Sequence, residues 1–150
     1  MSPLTLTRTS RVVIVIAAAA MAAGCAQAPA ALASPSPTPL MPNDHGYVRV
    51  ETMSGSTGCS ITTELVACQT SSDNWRNADG RVYHTVSVSA DGQFHWVDAD
   101  LGELQGRVPL RDQTYSAQGW TIVASPQDTK FTNDASGHGM SVSDQRVTAF

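Results

Sequence analysis

Apolar and polar residues alternate along much of the chain after residue 45, which is the pattern of β-strands with one buried face. The segment "RVYHTVSVS" (81–89), for example, places Val82, His84, Val86 and Val88 on one face. Similar short runs occupy residues 47–53, 93–100, 114–124, 129–133 and 138–150. No window of ten or more residues keeps a helical apolar stripe. We therefore expect an all-β domain, a small sandwich or open barrel of about seven or eight short antiparallel strands.

The dipeptide Asp91-Gly92 favours a two-residue hairpin turn between two of these strands. With that turn, His84 and His95 share the valine face and lie four residues apart along the ladder, a separation of ~13 Å. Two ligands of one zinc ion cannot stand so far apart, because each nitrogen must lie ~2 Å from the metal. We expect two hydrogen-bonded histidines at the margin of the core, and no metal ligand.

The same register places Phe94 and Trp96 on the opposite face, followed by the carboxylates Asp98, Asp100 and Glu103 in "DADLGE". Calcium binds several oxygen ligands, so these three carboxylates are a candidate calcium site. The segment lacks the length and the later glutamate of an EF-hand loop. We interpret it as a solvated strand end with a turn, and we predict no metal and no cofactor.

The beginning of the chain has the layout of an export signal. Arg8 and Arg11 precede an apolar run over residues 12–23, and small residues follow. A helix of twelve residues spans ~18 Å, whereas the hydrocarbon core of a bilayer is ~30 Å thick. The pattern favours an export signal over a permanent membrane-spanning helix.

A lone cysteine follows the apolar run. Ala22-Ala23-Gly24-Cys25 resembles the lipobox of bacterial lipoproteins, in which a diacylglyceryl group is attached to the thiol and the chain is cut just before the cysteine. The resemblance implies that residues 1–24 are a lipoprotein signal peptide and that Cys25 anchors the protein at the outer face of the cell membrane. The alternative is a cut after Ala33 by an ordinary signal peptidase, which would release a secreted protein.

The cysteine count is odd, since the chain has three. Exported proteins usually pair their thiols, and an unpaired one needs an explanation. Cys59 and Cys68 enclose "SITTELVA", a spacing that suits a disulfide. Cys25 is then the odd cysteine, which lipidation would consume, although a leader cut after Ala33 explains the same count.

Composition divides the rest of the chain. Residues 26–44 contain five prolines and no aromatic residue, so an extended spacer reaching ~50 to 60 Å is expected. We assign residues 25–44 to the lipidated cysteine and spacer, and 45–150 to the extracytoplasmic domain. Seven basic and thirteen acidic side chains follow residue 24, a net charge near −6. Binding to nucleic acid depends on positively charged side chains that contact phosphates, so we predict no nucleic-acid partner for this acidic chain.

Three residues are candidate ligand contacts. Trp75 lies in the polar segment "SSDNWRNADG", where it either anchors a ligand or folds back as a lid over the core, and we favour the lid. His138 lies four residues after Asp134 in a segment rich in glycine and short polar residues. We expect a tight loop with glycines at positive φ and His138 capping a carbonyl. A catalytic use of Asp134 and His138 is the alternative, without the Gly-x-Ser-x-Gly elbow of α/β hydrolases.

The leader with Cys25, the pair Cys59 and Cys68, "GWTIV" (119–123) and "TKFTNDASGHGMSVS" (129–143) together resemble small cell-envelope lipoproteins or secreted proteins of mycobacteria and their relatives. This resemblance implies an extracytoplasmic location and an all-β fold, and it transfers no catalytic residue. Two functions remain open. One is a membrane-anchored, non-catalytic module that binds an envelope protein, glycan or lipid; the other is a small hydrolase of cell-wall material that uses the His138 loop.

Overall fold

The computed structural model describes residues 28–150, and all of its strands lie within Ser34–Phe150. Residues 28–33 are exposed and contain no strand or helix. Cys25 and the predicted leader lie outside the described residues. Within residues 28–150 we find no helix that could cross a membrane.

Twelve strands form two sheets of six strands each in this part of the chain. Sheet A has the spatial order β1-β8-β9-β10-β11-β12, with β1 (Thr38–Pro39), β8 (Gln113–Ala117), β9 (Trp120–Ala124), β10 (Thr129–Asn133), β11 (Gly139–Val142) and β12 (Val147–Ala149). Sheet B has the order β6-β5-β4-β3-β2-β7, with β6 (Phe94–Val97), β5 (Thr85–Ser89), β4 (Leu65–Thr70), β3 (Thr57–Ile61), β2 (Val48–Glu51) and β7 (Val108–Pro109). The expected all-β fold is confirmed: the sheets are open and consistent with a β-sandwich.

The strands are more numerous than expected, and two pairings are parallel, β1 with β8 and β2 with β7. Strands β1 and β7 are two residues long and each contains a proline. Strands this short show no recognisable alternation in the sequence, because a period of two is visible only over several residues. Strand β1 lies within the predicted spacer, so sheet A recruits residues from that segment.

Alternation along each strand builds the core between the two sheets. In β9, Trp120, Ile122 and Ala124 are buried while Val123 faces outwards. Trp120 therefore belongs to the core, and its indole N–H donates to the carbonyl of Thr62 at 2.9 Å. Burial of this apolar surface is the main term that favours folding.

The predicted disulfide between Cys59 and Cys68 is present, and it lies in the core. The two cysteines pair directly across strands β3 and β4, with their Cα atoms 4.1 Å apart. This is close to the ~4.5 Å of a non-hydrogen-bonded antiparallel pair, in which side chains approach most closely. The segment between the cysteines is a β-hairpin, and the disulfide links its two strands, which are neighbours in sheet B.

The expected two-residue turn at Asp91-Gly92 is wrong by one residue. Ser89 pairs with Gln93, and the N–H of Gly92 donates to the Ser89 carbonyl at 2.9 Å. Ala90 therefore joins the turn as a third loop residue, and Gly92 has φ +93. Three-residue hairpins of this kind end on a left-handed residue, for which glycine is suited. The Ser89 hydroxyl donates to the Asp91 carboxylate and holds the pKa of that carboxyl below its usual value.

This one-residue shift reverses the faces of β6, because side chains alternate with a period of two. Val86 pairs with Trp96, and Val88 pairs with Phe94, so both aromatic rings pack against the core. His95 pairs with Ser87 on the outer face and is exposed. The prediction that His95 shares the valine face was therefore wrong, and so was the outward placement of the two aromatic residues.

Trp75 is fully buried, and its indole N–H donates to the Ser143 carbonyl at 2.7 Å. Its loop is further tied to the turn between β11 and β12 by the hydroxyl of Ser72, which donates to the Asp144 carbonyl at 2.8 Å. The interpretation of Trp75 as a lid over the core is confirmed. The side chain fixes the long loop between β4 and β5 to sheet A.

Candidate functional site

The connection from β6 to β7 crosses the outer face of sheet B. These two strands are the opposite edges of the sheet, and residues 98–107, here called the strap, join them. The N–H of Leu101 donates to the side-chain oxygen of Gln69 at 2.7 Å. A Cβ built on Gly58 would lie 3.1 Å from Cδ1 of Leu104. Glycine at this position leaves the room in which the strap crosses β3.

Two arginines fix the other end of the strap to β2. Nη1 of Arg49 donates to the Gln105 carbonyl at 3.2 Å, and Nε of Arg107 lies 3.3 Å from a carboxylate oxygen of Glu51. These are single side-chain contacts, and the strap forms no ladder with the strands beneath it. Its position therefore depends on a few polar contacts and on the packing of two leucines.

A groove of about 470 Å³ lies between the strap and the hairpin of β3 and β4. Its floor is a row of paired residues across three strands, Arg49, Ser60 and Ala67. Tyr47 and Leu65 flank this row and are 40% and 38% exposed. The small side chains of Ser60 and Ala67 leave this part of the floor low beside the larger Tyr47 and Leu65.

The strap supplies the wall of the groove through Leu101 and Leu104, which are both half-buried. More of the groove's surface is apolar than polar. A second groove of about 360 Å³, on the other side of Leu104, has a lining that is mainly polar, including Ser56, Ser71 and Arg107. Ligand sites are usually concave and mostly apolar with a few placed polar groups, so the first groove is the better candidate.

Arg49 is the cation of the apolar groove. Its guanidinium carbon lies 5.7 Å from the centroid of the Tyr47 ring, a cation–π arrangement. Within residues 28–150, its Nε atom is buried and has no hydrogen-bond partner. None of the ion pairs between residues 28 and 150 includes Arg49. Arg49 therefore forms no ion pair with a carboxylate of the described chain.

Glu64 is the carboxylate of the same groove, and it lies in the turn between β3 and β4. Arg49 lies where the groove meets the strap, since it donates to the carbonyl of Gln105. The groove thus has a positive group where Arg49 meets the strap and a negative group at its turn end. The rest of its lining is mostly apolar and includes two hydroxyl side chains, Ser60 and Thr62.

The three candidate ligand contacts lie elsewhere and are not brought together. Trp75 is buried in the core. Nδ1 of His138 lies 3.3 Å from the Phe150 carbonyl, as expected for a histidine that caps a carbonyl. Asp134 accepts a hydrogen bond from the Thr121 hydroxyl at 2.6 Å. His138 and Asp134 are thus held by different partners, and neither lines the apolar groove.

The loop that carries His138 packs on the turn of the β5–β6 hairpin. A Cβ built on Gly92 would lie 2.6 Å from Cγ of His138, so the imidazole lies against the backbone of this glycine. Gly137 has φ +75, as expected for this loop. The contacts of His138 that we observe are those of a side chain that joins two loops.

Each carboxylate of the acidic segment after β6 has its own ion-pair or hydrogen-bond partner. Asp98 pairs with Arg81, Asp100 accepts from the N–H of Gly102 at 2.6 Å, and Glu103 accepts from the Gln105 amide at 3.1 Å. In the part of the chain that the structure describes, no three His, Cys, Asp or Glu side chains are grouped so that they could hold a metal ion.

Sequence reasoning missed the groove, although one signal pointed to it. Leu101 and Leu104 are the two leucines of an otherwise polar segment, "DADLGELQGR" (98–107). A pair of large apolar residues in such a loop indicates that the loop packs on something. The surface on which it packs, small residues of β3 and β4, is not adjacent to it in the sequence.

Comparison of the chain with protein-family models, curated proteins and solved structures finds no match.

Proposed function

We propose that the protein is a lipid-anchored extracytoplasmic module that binds a ligand without transforming it. The disulfide between Cys59 and Cys68 carries this proposal. Disulfides persist in oxidising compartments and are rare in the cytosol. With this pair closed, Cys25 is the remaining cysteine of the chain, and it is the last residue of a sequence, Ala22-Ala23-Gly24-Cys25, that resembles a lipobox.

The apolar groove supports binding as the activity. It is a concave surface with exposed Tyr47 and Leu65 at its margin and a charged group at each end. The pair that the hydrolase alternative requires, Asp134 and His138, is engaged by Thr121 and Phe150. We therefore place the activity of the protein at the groove.

Replacement of Cys25 by alanine tests the anchor. In a bacterial host fed an alkynyl fatty acid, we expect the wild-type chain to take up the label and the Cys25→Ala chain to fall to background, because the thiol is the acylated atom. The measurement is gel fluorescence of the protein after the label has been coupled to a dye. Mass spectrometry of the mature N-terminus gives a second reading.

The double variant Cys59→Ala with Cys68→Ala is the matched control for this experiment, and it should keep the label, since it leaves Cys25 in place. An unlabelled mature protein that begins at Ser34 in the culture fluid would contradict the anchor and favour simple secretion.

Photo-crosslinking in intact cells tests the binding activity. A photoreactive residue at position 65 should capture an envelope component, and the same residue at position 123 should not. Val123 is a suitable control because it is 44% exposed but lies on the outer face of sheet A. Equal capture at the two positions would argue against the groove as the binding site.

A further inference from the structure

The charges of the apolar groove point to one class of ligand. We propose that the groove binds a single-chain anionic amphiphile, an aliphatic chain that carries a carboxylate or phosphate headgroup, with the headgroup at Arg49 and the chain along the floor. This inference rests on the proposed binding function and names the chemistry of its ligand.

The apolar part of the groove fits an aliphatic chain. Ala67 lies in the floor, Leu101 and Leu104 form the wall, and Leu65 and Tyr47 stand at the margin. These residues carry no charge, and their exposed apolar surface is removed from water when a chain lies on it. A volume of about 470 Å³ is within the range of small-molecule sites.

Arg49 supplies the selectivity for an anion. Its guanidinium forms one hydrogen bond within the described residues, from Nη1 to the Gln105 carbonyl, so N–H groups remain for a ligand. Hydrogen bonds between a guanidinium and a carboxylate or phosphate are stronger than neutral ones, and they are often bidentate. A half-buried arginine that has no carboxylate partner among residues 28–150 is therefore complementary to an anionic headgroup.

Glu64 determines the direction in which the ligand lies. Its carboxylate at the turn end of the groove repels an anionic headgroup, whereas Arg49 at the strap end attracts it. The headgroup therefore lies at Arg49, beside the strap, and the chain extends towards Leu65. The net negative charge of the whole domain does not prevent this, because salt screens charges over ~10 Å.

Binding of matched amphiphiles tests this inference. The full chain carrying Cys25→Ala, which has no acyl group of its own, is titrated with dodecanoate or dodecyl phosphate below the concentration at which micelles form. A neutral dodecyl maltoside and a cationic dodecylamine provide the same chain with other headgroups. The signals are the NMR resonances of Leu65, Leu101 and Leu104, so binding to other parts of the chain is not counted.

We expect the two anionic probes to bind about tenfold to a hundredfold more tightly than the neutral one, because the neutral headgroup cannot form charge-assisted hydrogen bonds with Arg49. In the Cys25→Ala protein, a second substitution Arg49→Gln should remove this preference for anions, while the dodecyl group still binds. Arg49→Lys should retain part of the preference. Glu64→Gln should strengthen anion binding. Val123→Gln, on the other sheet, should change nothing.

Equal binding of all four headgroups, or an unchanged preference in Arg49→Gln, would overturn the proposal. So would a concentration-dependent dimer that disappears with Leu65→Gln, since the groove would then pack against a second copy of the chain. If no amphiphile binds while position 65 still captures a partner in cells, the ligand class is wrong and the proposed function stands.

Discussion

Replacing Trp75 by alanine is expected to lower the free energy of unfolding by about 3 to 5 kcal/mol, the range for a buried aromatic residue cut to a methyl group. The side chain is fully buried, and its indole N–H pairs with the Ser143 carbonyl. Its loss would leave a cavity between the β4–β5 loop and sheet A and remove the partner of that carbonyl. Urea denaturation followed by circular dichroism measures the change.

Two further variants show which part of the tryptophan matters. Trp75→Phe keeps most of the ring but lacks the N–H, so it should cost about 1 to 3 kcal/mol. Trp96→Ala is the matched control, because Trp96 is half-buried on edge strand β6 and should cost less than Trp75→Ala. A loss below about 1 kcal/mol for Trp75→Ala would contradict the described packing of the loop, given typical values for buried tryptophan.

Removal of the disulfide is expected to have the second largest effect. The double variant Cys59→Ala with Cys68→Ala should lose about 2.5 to 3 kcal/mol, the chain-entropy value for a closed loop of this size. The cysteines are fully buried in sheet B, so the smaller alanines also leave space in the core. Urea denaturation without a reducing agent measures the loss.

Cys25→Ala is the control for the disulfide prediction. It also removes a cysteine, but it leaves the pair intact, so its unfolding curve in detergent-free buffer should match that of the unlipidated wild-type chain. An unchanged free energy of unfolding in the double variant would mean that the bridge does not stabilise the domain.

The all-β fold was predictable because alternation is a local signal. Strand β10 coincides with the predicted run at 129–133, and strand β9 lies within the predicted run at 114–124. The cysteine pair was predictable for a different reason, since an odd count and a short spacing leave few arrangements. These features depend on residues that are close together in the sequence.

The register of the β5–β6 hairpin was not predictable from its turn dipeptide. Asp91-Gly92 is compatible with two-residue and three-residue loops, and the hydrogen bond from Gly92 to Ser89 selects the longer one. This difference of one residue decides that Trp96 faces the core and His95 faces solvent. Local sequence therefore predicted the hairpin but left its faces undetermined.

The groove as a whole was not predictable from the sequence because its parts come from distant segments. Leu101 meets Gln69, and Arg49 meets Gln105, pairs separated by 32 and 56 residues. Neither contact follows from periodicity, and the strap between β6 and β7 is itself irregular. The conspicuous residues Trp75 and His138 were instead used for packing and for contact between loops.

The burial of the Cys59–Cys68 sulfur atoms has a kinetic consequence. A small reductant in solution reaches them only in molecules whose sheets have transiently separated, since both residues are fully inaccessible in the folded state. The rate at which dithiothreitol cleaves the bridge should therefore equal the rate of these opening events, and mild reducing conditions should leave the bond intact for as long as the two sheets stay packed together.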